Sequence, residues 1–407
     1  VFTDGLRVPF LFAFGVALAA CDGASSSGSS VTTVARDSAG IQIVENTIPE
    51  RDSTNTCRVS GEPTLEIGVA SGNPAQELHR AFDGARLSDG RIAIANEGSR
   101  EVRVFGSDGA HIVTFGREGD GPGEFQRPYR LWRLPGDSMV VFDSNHQRFS
   151  RFDGTGEFAG SATLSPRYAN APDVVSVDDG YLVAHHDFQL AEQGMKPQYL
   201  YVIRHAADGS VADTLGRYDY GQLGPAGPPE LFFVSGPIFQ ARTEVAGWAD
   251  RAYVGRGRER EVEVLATDGS LAALYRWTGG GREVTDADVE ARARSIRERA
   301  QANGDTSFLA AVLDPDIPIA DRFPALSALR VDTDGDLWIR RYRRPTWEGP
   351  ERAIVLDPGG AFVCHGYIPE EMRLFEIGDD YLLGMEHDEL GVEHVRMYGL
   401  TRPASSD

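Results

Sequence analysis

The sequence predicts an all-β protein, a six-bladed β-propeller with a short helical insertion between two blades. Three observations carry that expectation. Short apolar segments alternate with a period of two between Asp-Gly or similar turns, the mark of strands joined as hairpins. A unit of four such strands recurs, roughly forty to fifty residues apart where no insertion intervenes. A strand-like stretch far upstream, Thr64-Leu65-Glu66-Ile67-Gly68, matches the fourth strand that the last unit lacks. If it completes that unit, the ring closes with strands from both ends of the chain and few sheet edges remain exposed.

The N-terminus reads as an export signal. The apolar run from Val8 to Ala20 is too short to span a bilayer and has the length of a signal-peptide core. It ends in Leu18-Ala19-Ala20-Cys21, which resembles the lipobox of bacterial lipoprotein signals, although Asp4 stands in the leading region beside a single basic residue, Arg7. The resemblance implies lipidation of Cys21 and an exported protein of the cell envelope, facing the periplasm or the cell surface. Asp22 to Ser30 is nearly all Ser, Gly, Ala and Asp, a composition that cannot bury apolar surface. The expected organisation is therefore a signal peptide over 1–20, a Ser/Gly-rich tether over 21–38 and the propeller over 39–403. No later apolar stretch approaches about 20 residues, so the membrane is reached through the lipid anchor only.

Within the ring, the second strands read Arg91–Ala95, Met139–Phe142, Tyr181–Ala184, Ala252–Val254, Leu337–Ile339 and Tyr381–Leu383. The third strands read Val102–Phe105, Phe149–Phe152, Leu200–Ile203, Val262–Leu265, Ala353–Leu356 and Val395–Tyr398. Turns such as Ser107-Asp108-Gly109, Ala207-Asp208-Gly209 and Thr267-Asp268-Gly269 follow them. Two insertions break the period, Arg217 to Gly247 and Gly279 to Leu329. The second contains a helix signal: Thr285 as N-cap with Asp288 in the capping-box position, a narrow stripe of Val289, Ala293, Ile296 and Ala300, and a stop at Asn303-Gly304.

The run Gly116-Arg117-Glu118-Gly119-Asp120-Gly121-Pro122-Gly123-Glu124-Phe125 resembles the inter-blade signature of NHL-type propellers. Asp143-Ser144-Asn145-His146-Gln147-Arg148-Phe149, followed by Phe152-Asp153, resembles their core motif. The chain is also similar to a broad group of bacterial six-bladed propeller lipoproteins, through a Leu-Trp strand at Leu337-Trp338 and the stretch from Asp388 to Val395. That resemblance implies a fold and a compartment more than an activity.

A formal net charge of −21 excludes a nucleic-acid backbone as partner, because such binding relies on clustered Lys and Arg. With Cys21 acylated, Cys57 and Cys364 remain, either as one disulfide or as two unpaired structural thiols. The chain has no G-x-S-x-G and no H-E-x-x-H. Asp332-Thr333-Asp334-Gly335-Asp336 lacks the glycine spacing of a calcium loop and runs into a strand, so it reads as a hairpin turn.

Strand direction alternates within a unit, so the loops between second and third strands share one face with the connections between units, insertions included. Binding residues are expected there. One sector of that face is Arg-rich. Arg256, Arg258, Arg340, Arg341, Arg343 and Arg344, with His185 and His387, form a candidate site for an anionic ligand. The competing reading is ordinary solvated loop polarity. Asn96, Asp143, His186, Asp187 and Asp388 are the residue types of a calcium or zinc site such as some propeller hydrolases and lyases hold, although Asp143 also belongs to the repeat signature. No other cofactor is expected. The leading expectation is a lipid-anchored envelope binding or scaffolding protein that engages a peptide, glycan or protein partner. The alternative is a metal-dependent hydrolase or lyase.

Overall fold

The computed structural model describes residues 31–49, 55–168, 173–189, 193–227, 233–279 and 283–403. The expected signal peptide, Cys21 and most of the expected tether lie outside the described residues. Strands β1 (Thr32–Ser38) and β2 (Ile41–Thr47) form an N-terminal hairpin, and β3 (Thr56–Ile67) follows.

Antiparallel meanders come next. One runs through β4 (Ala81–Arg86), β5 (Ile92–Asn96), β6 (Glu101–Phe105) and β7 (His111–Phe115). The next comprises β8 (Pro128–Arg133), β9 (Met139–Asp143), β10 (Arg148–Phe152) and β11 (Phe158–Thr163). After it come β12 (Asp173–Val177), β13 (Gly180–Asp187), β14 (Lys196–Ala206) and β15 (Val211–Ala226), with the short β16 (Phe233–Ser235) on its outer edge. Strands β17 (Thr243–Trp248), β18 (Arg251–Arg256), β19 (Glu261–Leu265) and β20 (Leu271–Trp277) precede helix α1 (Asp286–Ala302). Beyond it lie β21 (Ala328–Val331), β22 (Leu337–Arg340), β23 (Glu351–Leu356) and β24 (Phe362–Ile368). The last meander is β25 (Arg373–Ile377), β26 (Tyr381–His387) and β27 (Glu393–Thr401). Among the described residues these strands make five hydrogen-bonded sheets. Apart from Arg91, which stands just before β5, every second and third strand read from the sequence lies within one of them.

The last meander takes its outer strand from the N-terminus. β3 pairs antiparallel with β27, placing Ile67 opposite Val395 and Leu65 opposite Met397. Its first residues pair in parallel with β24, Thr56 opposite His365. One strand thus joins two meanders into an eight-stranded sheet. Cys57 and Cys364 are bonded as a disulfide at this junction, with Cα atoms 5.6 Å apart and both residues fully buried.

The core lies between the sheets. Ala93, Val104 and Phe115 pack with Leu131, Val141 and Phe152 of the following meander. Similar clusters join each later pair. The cluster of Leu65, Ile67 and Leu383 with Ile92, Ile94 and Phe105 joins the last to the first. The sheets therefore follow one another round a closed, propeller-like ring. The turns fit this packing: Gly360, at φ +88°, lies against the Tyr275 ring of the neighbouring meander where a Cβ would collide. Asp332 anchors the β21–β22 turn as a hairpin cap, accepting from the N–H groups of Asp334 and Asp336, from Trp338 Nε1 at 2.9 Å and from Arg402 Nη2 at 2.7 Å.

Two expectations need correction. The tether does not run to residue 38: Thr32–Ser38 is a strand, in full register with β2. β2 in turn adds in parallel to β20, with Asn46 opposite Trp277, and buries Ile43 and Val44. β-Branched Thr32, Thr33 and Val34 favour that extended edge. The insertion expected to begin at Arg217 starts inside a strand, since β15 continues to Ala226 in a long hairpin with β14. Helix α1 does form as read, with both halves of its capping box made between Thr285 and Asp288 and Asn303 as C-cap.

Candidate binding face

The loops between second and third strands hydrogen-bond to the connections between meanders. Gly98 N–H donates to His79 O, Ser144 N–H to Arg127 O, Gly257 N–H to Arg242 O and Ala325 N–H to Gly257 O. These segments therefore share one face, as strand alternation requires.

The acidic and His-rich residues on this face serve their own loops. Asn96 Oδ1 accepts the His79 N–H at 2.9 Å, and its Nδ2 donates to Ser99. Asp143 is fully buried; its two oxygens accept the N–H groups of Gln126, Arg127, Asn145 and His146. The His186 ring lies on Tyr220, centroids 3.8 Å apart, and that of His185 on Tyr168 at 4.4 Å. Burial holds both imidazoles below the usual histidine range. Asp187 accepts from Gln189 Nε2, and Asp388 from the N–H groups of Leu390 and Val392. His387 faces Glu393 at 3.8 Å. Among the described residues no three His, Cys, Asp or Glu side chains converge as ligands. Of the residues expected to hold calcium or zinc, Asn96, Asp143 and Asp388 thus accept backbone N–H groups, Asp187 accepts a side-chain amide, and the His186 ring lies on Tyr220.

The arginines divide into two groups. Arg340 pairs with Glu351, Arg343 with Glu370 and Arg256 with Glu263. Arg344 Nη2 donates to both oxygens of buried Asp288 at 2.9 Å, tying α1 to the segment after β22, and lies over the Phe323 ring. Arg341 uses its backbone N–H to hold Arg352 O at 2.8 Å. Arg258 differs. It is exposed and makes no hydrogen bond or ion pair among the described residues.

Arg258 lines a groove of about 620 Å³ between the β18–β19 loop, the end of β20 and the segment before β21. Arg260, Arg276 and Arg322 share it, together with the rings of Trp277 and Phe323. Glu259, Glu261 and Asp321 line it too. Arg276 is fixed by Glu261 and by Glu45 of β2, and these partners hold its guanidinium above the usual arginine range against the opposing effect of burial. The run Arg256-Gly257-Arg258-Glu259-Arg260 was the visible signal in the sequence. Arg276 and Arg322 carry none, because folding alone brings 276 and 322 to 258.

The first strands carry a second charged constellation, absent from the sequence reading. Leu131 N–H donates to Asp83 Oδ2 at 3.0 Å, linking β8 to β4. Arg130 Nη2 donates to Asp173 Oδ1 at 3.1 Å, linking β8 to β12. Arg330 Nη2 donates to Leu374 O at 3.1 Å, linking β21 to β25, and Arg86 N–H donates to Glu376 Oε1 at 2.9 Å, linking β4 to β25. Burial pushes the Asp83 carboxyl up, with Arg130 and Arg330 opposing. Burial and the like charge of Arg130 bring Arg330 down to about 10. Glu244 on β17 is pushed up to about 7, first by burial and then by Asp173, against Arg242 and Arg340. Charged residues inside otherwise apolar first strands, as in Ala81-Phe82-Asp83-Gly84-Ala85-Arg86, were the available signal.

No protein-family model matches the chain, and no curated protein matches it. Among solved structures it is similar to a protein described as exported from Bacteroides fragilis, with a TM-score of 0.50 and 11% identity over 88% of this chain and 99% of that one. It is also similar to a member of the DUF4221 family from Bacteroides vulgatus (TM-score 0.44, 9% identity, 86% and 99% covered). Virginiamycin B lyase from Staphylococcus aureus follows at a TM-score of 0.37 and 9% identity, with 83% and 98% covered. At such identities a likeness speaks for fold alone, and only the first reaches the geometric similarity that does so. This chain thus has the fold of a protein described as exported, and no helix among its described residues is long and apolar enough to cross a membrane.

Proposed function

We propose that the chain is a six-bladed propeller lipoprotein, anchored through Cys21, that binds an anionic partner in the cell envelope. The observation that carries this reading is the groove. Arg258, Arg260, Arg276 and Arg322 gather beside two aromatic rings on a chain whose formal net charge is −21. Guanidinium groups present paired donors that fit carboxylate and phosphate oxygens, and the flanking rings supply apolar contact. The lipobox and the disulfide support an oxidising, extracytoplasmic location. Arg340, Arg343 and Arg344 hold carboxylates, as Arg276 does within the groove, whereas exposed Arg258 holds none among the described residues; Arg258 is therefore the arginine on which the groove reading turns. The metal-dependent hydrolase or lyase reading has no comparable observation behind it.

Calorimetry with two soluble polyanions, inositol hexakisphosphate and a polyglutamate peptide, tests the reading at low ionic strength, where attraction is strongest. Arg258→Glu with Arg322→Glu should weaken binding at least about tenfold, which corresponds to ~1.4 kcal/mol. Arg341→Glu with Arg343→Glu should leave it nearly unchanged. Equal losses in both variants, or no binding by the wild type, would refute the groove as the site.

A further inference from the structure

The polarity of the N-terminal hairpin fixes where the anchor segment leaves the folded body. β20 ends at the binding face, with Trp277 in the groove. β2 runs parallel to β20, so Asn46 and Thr47 lie at that same end. β1 runs antiparallel to β2, and Thr32 pairs with Thr47. The chain therefore enters the body at the binding face, beside the groove, and its Ser38–Ile41 turn lies at the opposite end.

We infer that the binding face rests against the lipid surface in which Cys21 is anchored, with the groove arginines on the phosphates of anionic headgroups. This rests on the reading of Cys21 as lipidated and names the source of the anion that the groove takes. Cys21 stands eleven residues before Thr32, a span of at most ~40 Å when fully extended. Turning the other face to the bilayer would send that segment back along the seven-residue hairpin, about 23 Å. Less than half of the reach would remain. The side chains at this face suit an interface between water and lipid. Leu390, at the tip of the β26–β27 loop, is 87% exposed; Ile319, next to the groove segment, is 49% exposed, and Phe188, just past β13, is 44% exposed. Arginine with neighbouring aromatic and aliphatic side chains is the combination that favours a headgroup layer.

The test uses the full acylated chain on vesicles with and without phosphatidylglycerol in a phosphatidylcholine background. With Cys57 and Cys364 bonded and Cys21 acylated, a single introduced cysteine is the only free thiol. A fluorophore at Leu390→Cys reports the binding face, and one at Asp334→Cys, in the exposed β21–β22 turn, reports the opposite face. Quenching by doxyl-labelled lipid should be at least threefold stronger at 390 than at 334, and stronger with phosphatidylglycerol present. Arg258→Glu with Arg322→Glu should remove that lipid dependence. If the double variant fails to fold, Arg258→Glu alone carries the comparison. Equal or stronger quenching at 334 in protein that floats with vesicles overturns the orientation and leaves the anchor standing. Dependence on phosphatidylglycerol that survives the reversal, or is absent from the wild type, overturns the headgroup contact. Wild type that floats no better than Cys21→Ser overturns the anchor and the orientation together. Competition by free inorganic phosphate at equal phosphate concentration would assign the groove to a soluble anion and overturn the lipid assignment.

Discussion

Replacing both Cys57 and Cys364 with alanine removes the covalent link between the N-terminal strand and the ring. The bridged residues are 307 apart in sequence. Chain-entropy reasoning gives a closed loop of that length on the order of 19 cal/mol/K of unfolded-state entropy, or about 5.7 kcal/mol at 25 °C. That figure is a ceiling, because denatured chains keep residual structure; measured losses for native disulfides cluster at ~2–5 kcal/mol. Unfolding entropy near 2.1 cal/mol/K per residue gives roughly 770 cal/mol/K for the folded body. The double variant should therefore melt about 3–7 °C below the oxidised wild type. Calorimetry at matched pH and concentration reads this directly, and alkylation of unreduced, denatured protein confirms the bonded state. A shift below about 1 °C with the wild-type bond intact would mean that the hydrogen bonds of β3 already fix the junction. Alkylation of both cysteines in unreduced wild type would refute the bond itself.

Deleting residues 22–38 should lower the melting temperature little, since β1 is exposed along its whole length, whereas deletion through Gly68 strips β2, β3 and Cys57 and should abolish cooperative unfolding; equal transitions for both truncations would contradict ring closure by β3. Arg330→Met leaves Asp83 buried with one cation fewer and should cost about 3 kcal/mol in denaturant titrations, and an unchanged midpoint would show that Arg130 suffices. The Glu244 carboxyl titrates natively near 7 against an ordinary value of 4.5, so it costs stability once the unfolded chain ionises: the cost grows from pH 4.5 to about 7 and is constant above. Glu244→Gln should gain on wild type across that window, and parallel melting curves from pH 4 to about 8 would refute the shift.

Second and third strands were legible because each is apolar with period two and ends in a turn that Asp and Gly announce locally. The capping box of α1 was legible for the same reason, its two members standing three residues apart. The first strands were harder to read, since Asp83, Arg130, Glu244 and Arg330 interrupt their apolar pattern to tie one meander to the next. Parallel addition of β2 to β20 joins residues 230 apart with no turn between them to mark it. The arginines illustrate the same limit. Arg344 finds Asp288 56 residues away and Arg343 finds Glu370 27 away, so nothing local distinguishes them from Arg258, which has no such partner. The density of arginine near a loop was visible, but which arginines were already engaged was not.

The sharing of β3 between two meanders also orders events in time. Thr64 is hydrogen-bonded to Met397, 333 residues later. At ordinary synthesis rates the N-terminal strand waits roughly 15–70 s for its neighbour to be made. Through that interval its backbone groups are an open template, and Leu65 and Ile67 have no ring to enter. The chain can complete its intermediate meanders one by one, but the circuit cannot close until β27 has been made. A holding factor acting on the first seventy residues would matter more for the yield of this protein than any factor acting on its middle.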